Sequence, residues 1–175
     1  FAARMKFKAV ITFVTLWFIL VYLPVAHWVW GGGWLQKLGM IDFAGGDVVH
    51  LNSGVGALVA TIMLGRRNSY HLVKGVRHNI LISTIGVGLI WLGWFGFNGA
   101  SGGTFPRDVI ASVLTQVATC AAIIAWAITE WVRYGRPSGS GCLLAAVAGL
   151  VAITPAAGYV GFIGAIVIGV VAGFI

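Results

Sequence analysis

A chain of 175 residues that is 59% hydrophobic and only 9% charged carries more apolar surface than a soluble domain of this size can bury, since about 45–50% and about 25% are ordinary for such domains. Its net charge of +7 does not point to nucleic acid, because the basic residues sit in short gaps between apolar runs and form no basic stripe; that is a pattern of membrane topology. Cys120 and Cys142 lie in or beside apolar runs and read as buried small hydrophobes, not as a disulfide or a metal pair.

The first apolar run follows Arg4, Lys6 and Lys8. It is much longer than the roughly 7–15 residues of a signal-peptide core and lacks a small-residue cleavage site, so it reads as a membrane span, Ala9–Trp30. Crossing the hydrocarbon layer takes about 20 mainly apolar residues in a helix that satisfies its own backbone hydrogen bonds. Val48–Leu64, Ile80–Phe97 and Val109–Val132 follow as further spans. The run Gly141–Ile175 is too long for one helix, and Thr154-Pro155-Ala156-Ala157-Gly158 divides it, because proline removes a donor and glycine tolerates a turn. The expected fold is all-α: a polytopic transmembrane helix bundle with six spans, the sixth incomplete. A start at Phe1 and a stop inside an apolar run read as one transmembrane domain over 1–175, truncated at both ends.

Cytoplasmic loops hold an excess of Lys and Arg. With the first residues inside, the inner segments carry Arg4, Lys6, Lys8, Arg66, Arg67, Lys74, Arg77, Arg133 and Arg136, against Lys37 and Arg107 outside. Both ends of the stretch are therefore expected in the cytoplasm. Trp28, Trp30 and Trp34 then fall at the outer boundary, with Trp126 and Trp131 near the inner one, where indole rings are favoured. Of the 26 glycines, Gly54, Gly56, Gly86, Gly88, Gly93, Gly96, Gly149, Gly164 and Gly169 lie within spans and predict close helix packing.

Few polar groups lie at membrane depth: His50, Asn52, Asn98, Gln116 and Glu130, with Asp42 and Asp47 just before the second span. Such residues are costly in lipid and tend to face a pathway. His50 lies part-way into the layer below Asp42 and is either a pathway residue or a structural histidine bonded to a neighbouring helix. If the third helix continues past Asn98, Phe97 and Ser101 share a face one turn apart, with the hydroxyl outermost; the bland alternative for Phe97 is packing.

Four segments carry a resemblance. Val29-Trp30-Gly31-Gly32-Gly33-Trp34, Asp42-Phe43-Ala44-Gly45-Gly46-Asp47-Val48-Val49-His50, Gly93-Trp94-Phe95-Gly96-Phe97-Asn98, and Gly149-Leu150-Val151-Ala152-Ile153-Thr154-Pro155-Ala156-Ala157-Gly158 resemble, in order, motifs of the ammonium transporter (Amt/Rh) family. The resemblance implies a piece of an eleven-helix fold, roughly its fourth to ninth helices, assembled as a homotrimer in the cell membrane for nitrogen uptake. It implies ammonium or ammonia as the transported species, the lipid bilayer as surroundings, a cytoplasmic P-II-type regulatory protein as a candidate partner, and no cofactor, metal or enzymatic activity. Trp30 and Ser101 match an outer substrate-binding site for ammonium, Phe97 a pore gate, His50 a pore histidine that relays a proton, and Asp42 the aspartate that supports the outer vestibule. The first gate phenylalanine and the second pore histidine of the family would lie outside these residues. Two departures stand out. Asp47 occupies a position where many relatives have threonine, and either caps the helix or adds negative potential; Gly99-Ala100-Ser101 replaces the order Ala-Gly-Ser.

Carrying a cation into hydrocarbon is costly, whereas neutral ammonia enters more easily. The expected mechanism recruits ammonium by cation–π and hydrogen bonding, deprotonates it, and conducts ammonia through an apolar, histidine-lined pore. The alternative is an ammonium sensor, a transporter-like membrane domain with a signalling role. A Rh-type gas channel is disfavoured by Trp30, and a water or polyol channel by the lack of a paired Asn-Pro-Ala. The charge asymmetry makes a direct prediction for the full-length protein: a cysteine at position 107 reacts with an impermeant thiol reagent added outside, and one at position 77 does not. Labelling at 77 and not at 107 overturns the orientation.

Overall fold

The computed structural model describes residues 4–66 and 79–175, so Arg67, Lys74 and Arg77 of the topology argument lie outside the described residues. Among the described residues every regular element is helical. In chain order these are α1 Phe7–Trp17, a π-helical turn Phe18–Tyr22, α2 Leu23–Trp30, the short α3 Trp34–Lys37, a π-helical segment Gly46–Leu51 leading into α4 Asn52–Leu64, α5 Ile80–Gly99, α6 Phe105–Tyr134, α7 Gly139–Ile153 and α8 Phe162–Phe174. The all-α class and the helical character of all six apolar runs are as the sequence predicts, and the break after Ile153 falls where Thr154-Pro155 placed it.

The stretches Phe7–Lys37, Gly46–Leu64, Ile80–Gly99 and Phe105–Tyr134 are long and apolar enough to cross a membrane. At 15 and 13 residues, α7 and α8 each rise only about 20 Å, short of the ~30 Å hydrocarbon layer. Leu20, Met63, Leu81 and Leu92 stand exposed along the longer helices. Lipid solvates such a surface, and water does not.

The chain forms two compact units, Phe1–Ile41 with Asp47–Arg77 and Asp42–Gly46 with His78–Ile175. In the first, Pro24 can give no N–H to the carbonyl four residues back and its ring crowds that carbonyl; the π-helical turn just before it supplies the slack. Tyr22 stacks on Phe18 across that turn at 5.3 Å. A Cβ on Gly56 of α4 would sit 3.1 Å from the Trp17 indole nitrogen, and the Arg4 guanidinium donates to the Gly65 carbonyl that ends α4.

The second unit is organised by α6, whose buried residues Ala111, Leu114, Thr115, Ala118, Thr119, Ala122 and Ala125 recur every three or four positions and so form one face. Against that face α8 comes into backbone contact. A Cβ added at Gly169 would lie 2.1 Å from the Ala118 carbonyl oxygen, and one at Gly173 would lie 2.3 Å from that of Ala122. Gly149 of α7 meets the Ala122 methyl and the Thr119 Cα at 2.8 Å in the same sense. These are the small-residue contacts that membrane helices use in place of a hydrophobic driving force.

Elsewhere Gly54, Gly86, Gly88, Gly93 and Gly96 meet nothing within 4 Å among the described residues. Only Asn98 and Gly99 of α5 are buried, and that helix is held by polar side chains. Trp126 takes its place from the corner between α6 and α7. The Glu130 carboxylate accepts from the backbone N–H and the hydroxyl of Ser138, whose Oγ accepts from the Gly141 N–H at 3.1 Å. A Cβ on Gly141 would lie 2.2 Å from the Trp126 indole nitrogen, so this tryptophan packs into the α6–α7 corner, while Trp131 stays exposed.

Replacing Gly169 by leucine is expected to destabilise the second unit by roughly 3 kcal/mol, the upper end for overpacking, since a backbone carbonyl cannot move aside. Thermal melting of the detergent-solubilised full-length protein, followed by tryptophan fluorescence, checks this; an unchanged transition rules out the contact.

Candidate functional site

Asp42 begins the second unit's contribution. Its Oδ1 accepts from the N–H groups of Gly45 at 2.9 Å and Gly46 at 2.7 Å, and the residue is 6% exposed. Asp42 therefore ties off the first donors of the helical segment that starts at Gly46, one of the two roles that the sequence offers for Asp47. Asp47 stands in the first helical turn, where its charge favours the positive end of the helix dipole. Because 42–45 is not helical, His50 enters within the first turns of its helix, at a shallower helical depth than an unbroken helix from Asp42 would give.

The segment after Asp42 is clamped onto the bend between α7 and α8. The Phe43 N–H donates to the Pro155 carbonyl at 3.1 Å, and the Phe43 ring fills the space a Cβ on Gly158 would need, at 2.0 Å. Phe43 meets Tyr159 edge-on at 5.6 Å. The Arg107 guanidinium lies over both rings, 5.6 Å from the first and 5.0 Å from the second, and its Nε donates to the Gly158 carbonyl at 3.4 Å.

Phe97 and Ser101 share this unit. The helix stops at Gly99, two residues short of the continuation assumed from sequence, and the chain closes in a tight turn with Ser101 N–H on the Asn98 carbonyl at 3.3 Å and Gly102 N–H on the Gly99 carbonyl at 3.2 Å. The Ser101 hydroxyl nevertheless reaches back and donates to the Phe97 carbonyl at 2.8 Å. With its single proton committed there, Oγ offers only lone pairs to anything above it. Phe97 itself is 39% exposed, with its ring 5.4 Å from that of Trp94.

Trp30 and His50 belong to the first unit. The three glycines after Trp30 fold the chain back: Gly32 has φ +80°, and a Cβ on Gly33 would lie 2.4 Å from the Trp28 Cα. The Gln36 side chain accepts from the Gly32 N–H at 2.7 Å. This reversal brings Trp34 to 5.9 Å from Trp28 and leaves Trp30, the last residue of α2, 43% exposed. His50 lies half-buried in the π-helical segment, with its carbonyl accepting from the Ser53 hydroxyl at 3.1 Å.

Sequence reasoning missed three interhelical hydrogen bonds that hold α5. Trp91 Nε1 donates to Gln116 Oε1 at 3.1 Å, Trp94 Nε1 to Thr154 Oγ1 at 2.9 Å, and Asn98 Nδ2 to Thr115 Oγ1 at 2.9 Å. The signal was present in the tryptophans, since a buried indole N–H needs an acceptor. Cys120 and Cys142 are free thiols, and Cys120 accepts from Gln116 Nε2 at 3.3 Å. A groove of about 490 Å³ beside Gln116, Ile124, Ile166 and Phe174 is almost wholly apolar and includes none of the site residues above.

Comparison with known proteins places this geometry. All of residues 1–175 match the Ammonium Transporter Family. The ammonium transporter of Aquifex aeolicus (strain VF5) is 50% identical over 173 residues, which cover 98% of this chain and 40% of that protein. The crystal structure of Candida albicans Mep2 superposes with a TM-score of 0.91 at 39% identity, covering 98% of this chain and 39% of that one. A structure titled Sensor Amt Protein superposes at 0.82 and 34% identity, covering 89% of this chain and 42% of that one. The chain thus spans about two fifths of the length of the relatives it matches. With every residue inside the family match and half of them identical to those of an ammonium transporter, the chain belongs to the Ammonium Transporter Family.

Proposed function

We infer that this chain is the part of an ammonium transporter that carries recruitment, gating and one step of proton handling. The observation that carries the reading is the family match across all 175 residues. In this reading Trp30 offers an aromatic face to the cation, and Ser101 offers the lone pairs left once its proton is committed to Phe97. Phe97 excludes water, and His50 takes or passes the proton given up by ammonium, so that ammonia crosses the apolar stretch. Asp42 supports the vestibule by building the turn at Gly45 and Gly46. Assembly as a homotrimer in the cell membrane for nitrogen uptake, cytoplasmic ends and regulation by a P-II-type protein belong to the same reading.

A second reading, an ammonium sensor, is favoured by the likeness to the structure titled Sensor Amt Protein. Reconstituted vesicles separate the two, because a sensor of this kind need carry no flux.

In the full-length protein, His50→Ala is expected to lower ammonium-selective flux by about 100-fold or more, the lower range of general acid–base contributions, or to convert it into conduction of ions such as potassium. Ammonium uptake and ion current in vesicles read both outcomes. Normal ammonium-selective flux through the variant makes this histidine structural.

A further inference from the structure

We propose that Thr154, at the bend between α7 and α8, is a positioning residue for the Phe97 gate and acts through Trp94. The proposal rests on the reading of Phe97 as a gate.

A constriction made by one aromatic ring works only if that ring has one orientation. Phe97 is partly exposed. Its ring lies 5.4 Å from the Trp94 ring, tilted by 42°, one helical turn away on the same face of α5. Trp94 is in turn fixed from outside its own helix: its Nε1 donates to Thr154 Oγ1 at 2.9 Å. Thr154 is itself fully buried, and its hydroxyl proton is committed to the Leu150 carbonyl at 2.7 Å. The oxygen can therefore only accept, and it faces the Trp94 indole N–H, which must donate. Hydroxyl, indole and phenyl form a chain in which each member restricts the next, running from the buried bend to the half-exposed ring.

The neighbouring contacts make this chain specific to Phe97. Asn98–Thr115 and Trp91–Gln116 attach α5 to α6 and set the helix in place, but neither touches the Phe97 ring through an intermediate. Trp94–Thr154 is the bond from α5 to the α7–α8 bend among these three, and its tryptophan is the one packed on the gate.

The test uses the full-length protein in vesicles and reads the ratio of methylammonium to ammonium flux, since one extra methyl group probes the constriction. Thr154→Val keeps the shape and removes the acceptor, and should change that ratio by about threefold or more, the factor an average interhelical hydrogen bond in a membrane can supply. Thr154→Ser should restore the wild-type ratio. Trp94→Phe keeps a ring and removes the N–H, and should match Thr154→Val; if the valine variant does not fold, this arm carries the test. The double variant should change the ratio no further than either single one. Phe97→Ala serves as the reference. If it alters the ratio while Thr154→Val and Trp94→Phe leave it at the wild-type value, or if the two single effects add, the positioning role is refuted. An unchanged ratio and rate in Phe97→Ala removes the gate reading and this proposal with it.

Discussion

Backbone meets backbone where α8 crosses α6, and the second unit is arranged around that contact. Gly169 and Gly173 lie directly over the carbonyls of Ala118 and Ala122, so the two helix axes come as close as their main chains permit. Nothing larger than hydrogen fits at either position. Once α8 is seated there, the chain leaving α7 has only the short segment after Ile153 in which to turn, and Phe43, Gly158, Tyr159 and Arg107 are gathered onto that turn. The hydrogen bond from Trp94 to Thr154 at that turn thus stands next to a packing contact in which no polar side chain takes part.

Two kinds of attachment coexist in one unit. Between α6, α7 and α8, small residues let apolar surfaces fit closely. Between α5 and its neighbours, Trp91, Trp94 and Asn98 reach across with hydrogen bonds, while Gly86, Gly88, Gly93 and Gly96 meet nothing within 4 Å among the described residues. In lipid an indole or amide that finds no partner is expensive, which makes these few bonds directional in a way that methyl contacts are not. A helix held by a few directional bonds has its rotation set at those points, and its remaining surface is free to be apolar.

The spans were legible because hydropathy and length suffice for them, and the break at Pro155 because proline cannot continue a helix. The ordered motifs brought out Trp30, Asp42, His50, Phe97 and Ser101, and the structure gives their local surroundings. What the sequence did not disclose depended on partners far along the chain. Asp42 and Asp47 look alike as capping residues, and the choice between them follows from a helix that begins at Gly46, where a Cβ would lie 2.4 Å from Pro155. Glycines on α5 and α8 look alike too, but Gly169 and Gly173 of α8 oppose another backbone closely, whereas Gly86, Gly88, Gly93 and Gly96 of α5 meet nothing within 4 Å among the described residues. The packing of Trp126 was hidden because its neighbour on the corner, Gly141, is brought to it only by the turn that Glu130 and Ser138 close.

The two π-helical segments separate the length of the chain from the direction its faces point. A π turn takes up one residue more than an α turn, so the helix on either side keeps the phase it would have in a chain one residue shorter. At Phe18–Tyr22 this slack answers to Pro24. At Gly46–Leu51 it surrounds His50 and leads directly into α4. Removing a single residue from that segment would let it relax to α geometry and leave the exposed row Val55, Leu58 and Ile62 in register. Such a segment is a place where a chain can take up an inserted residue without rebuilding the helix that follows.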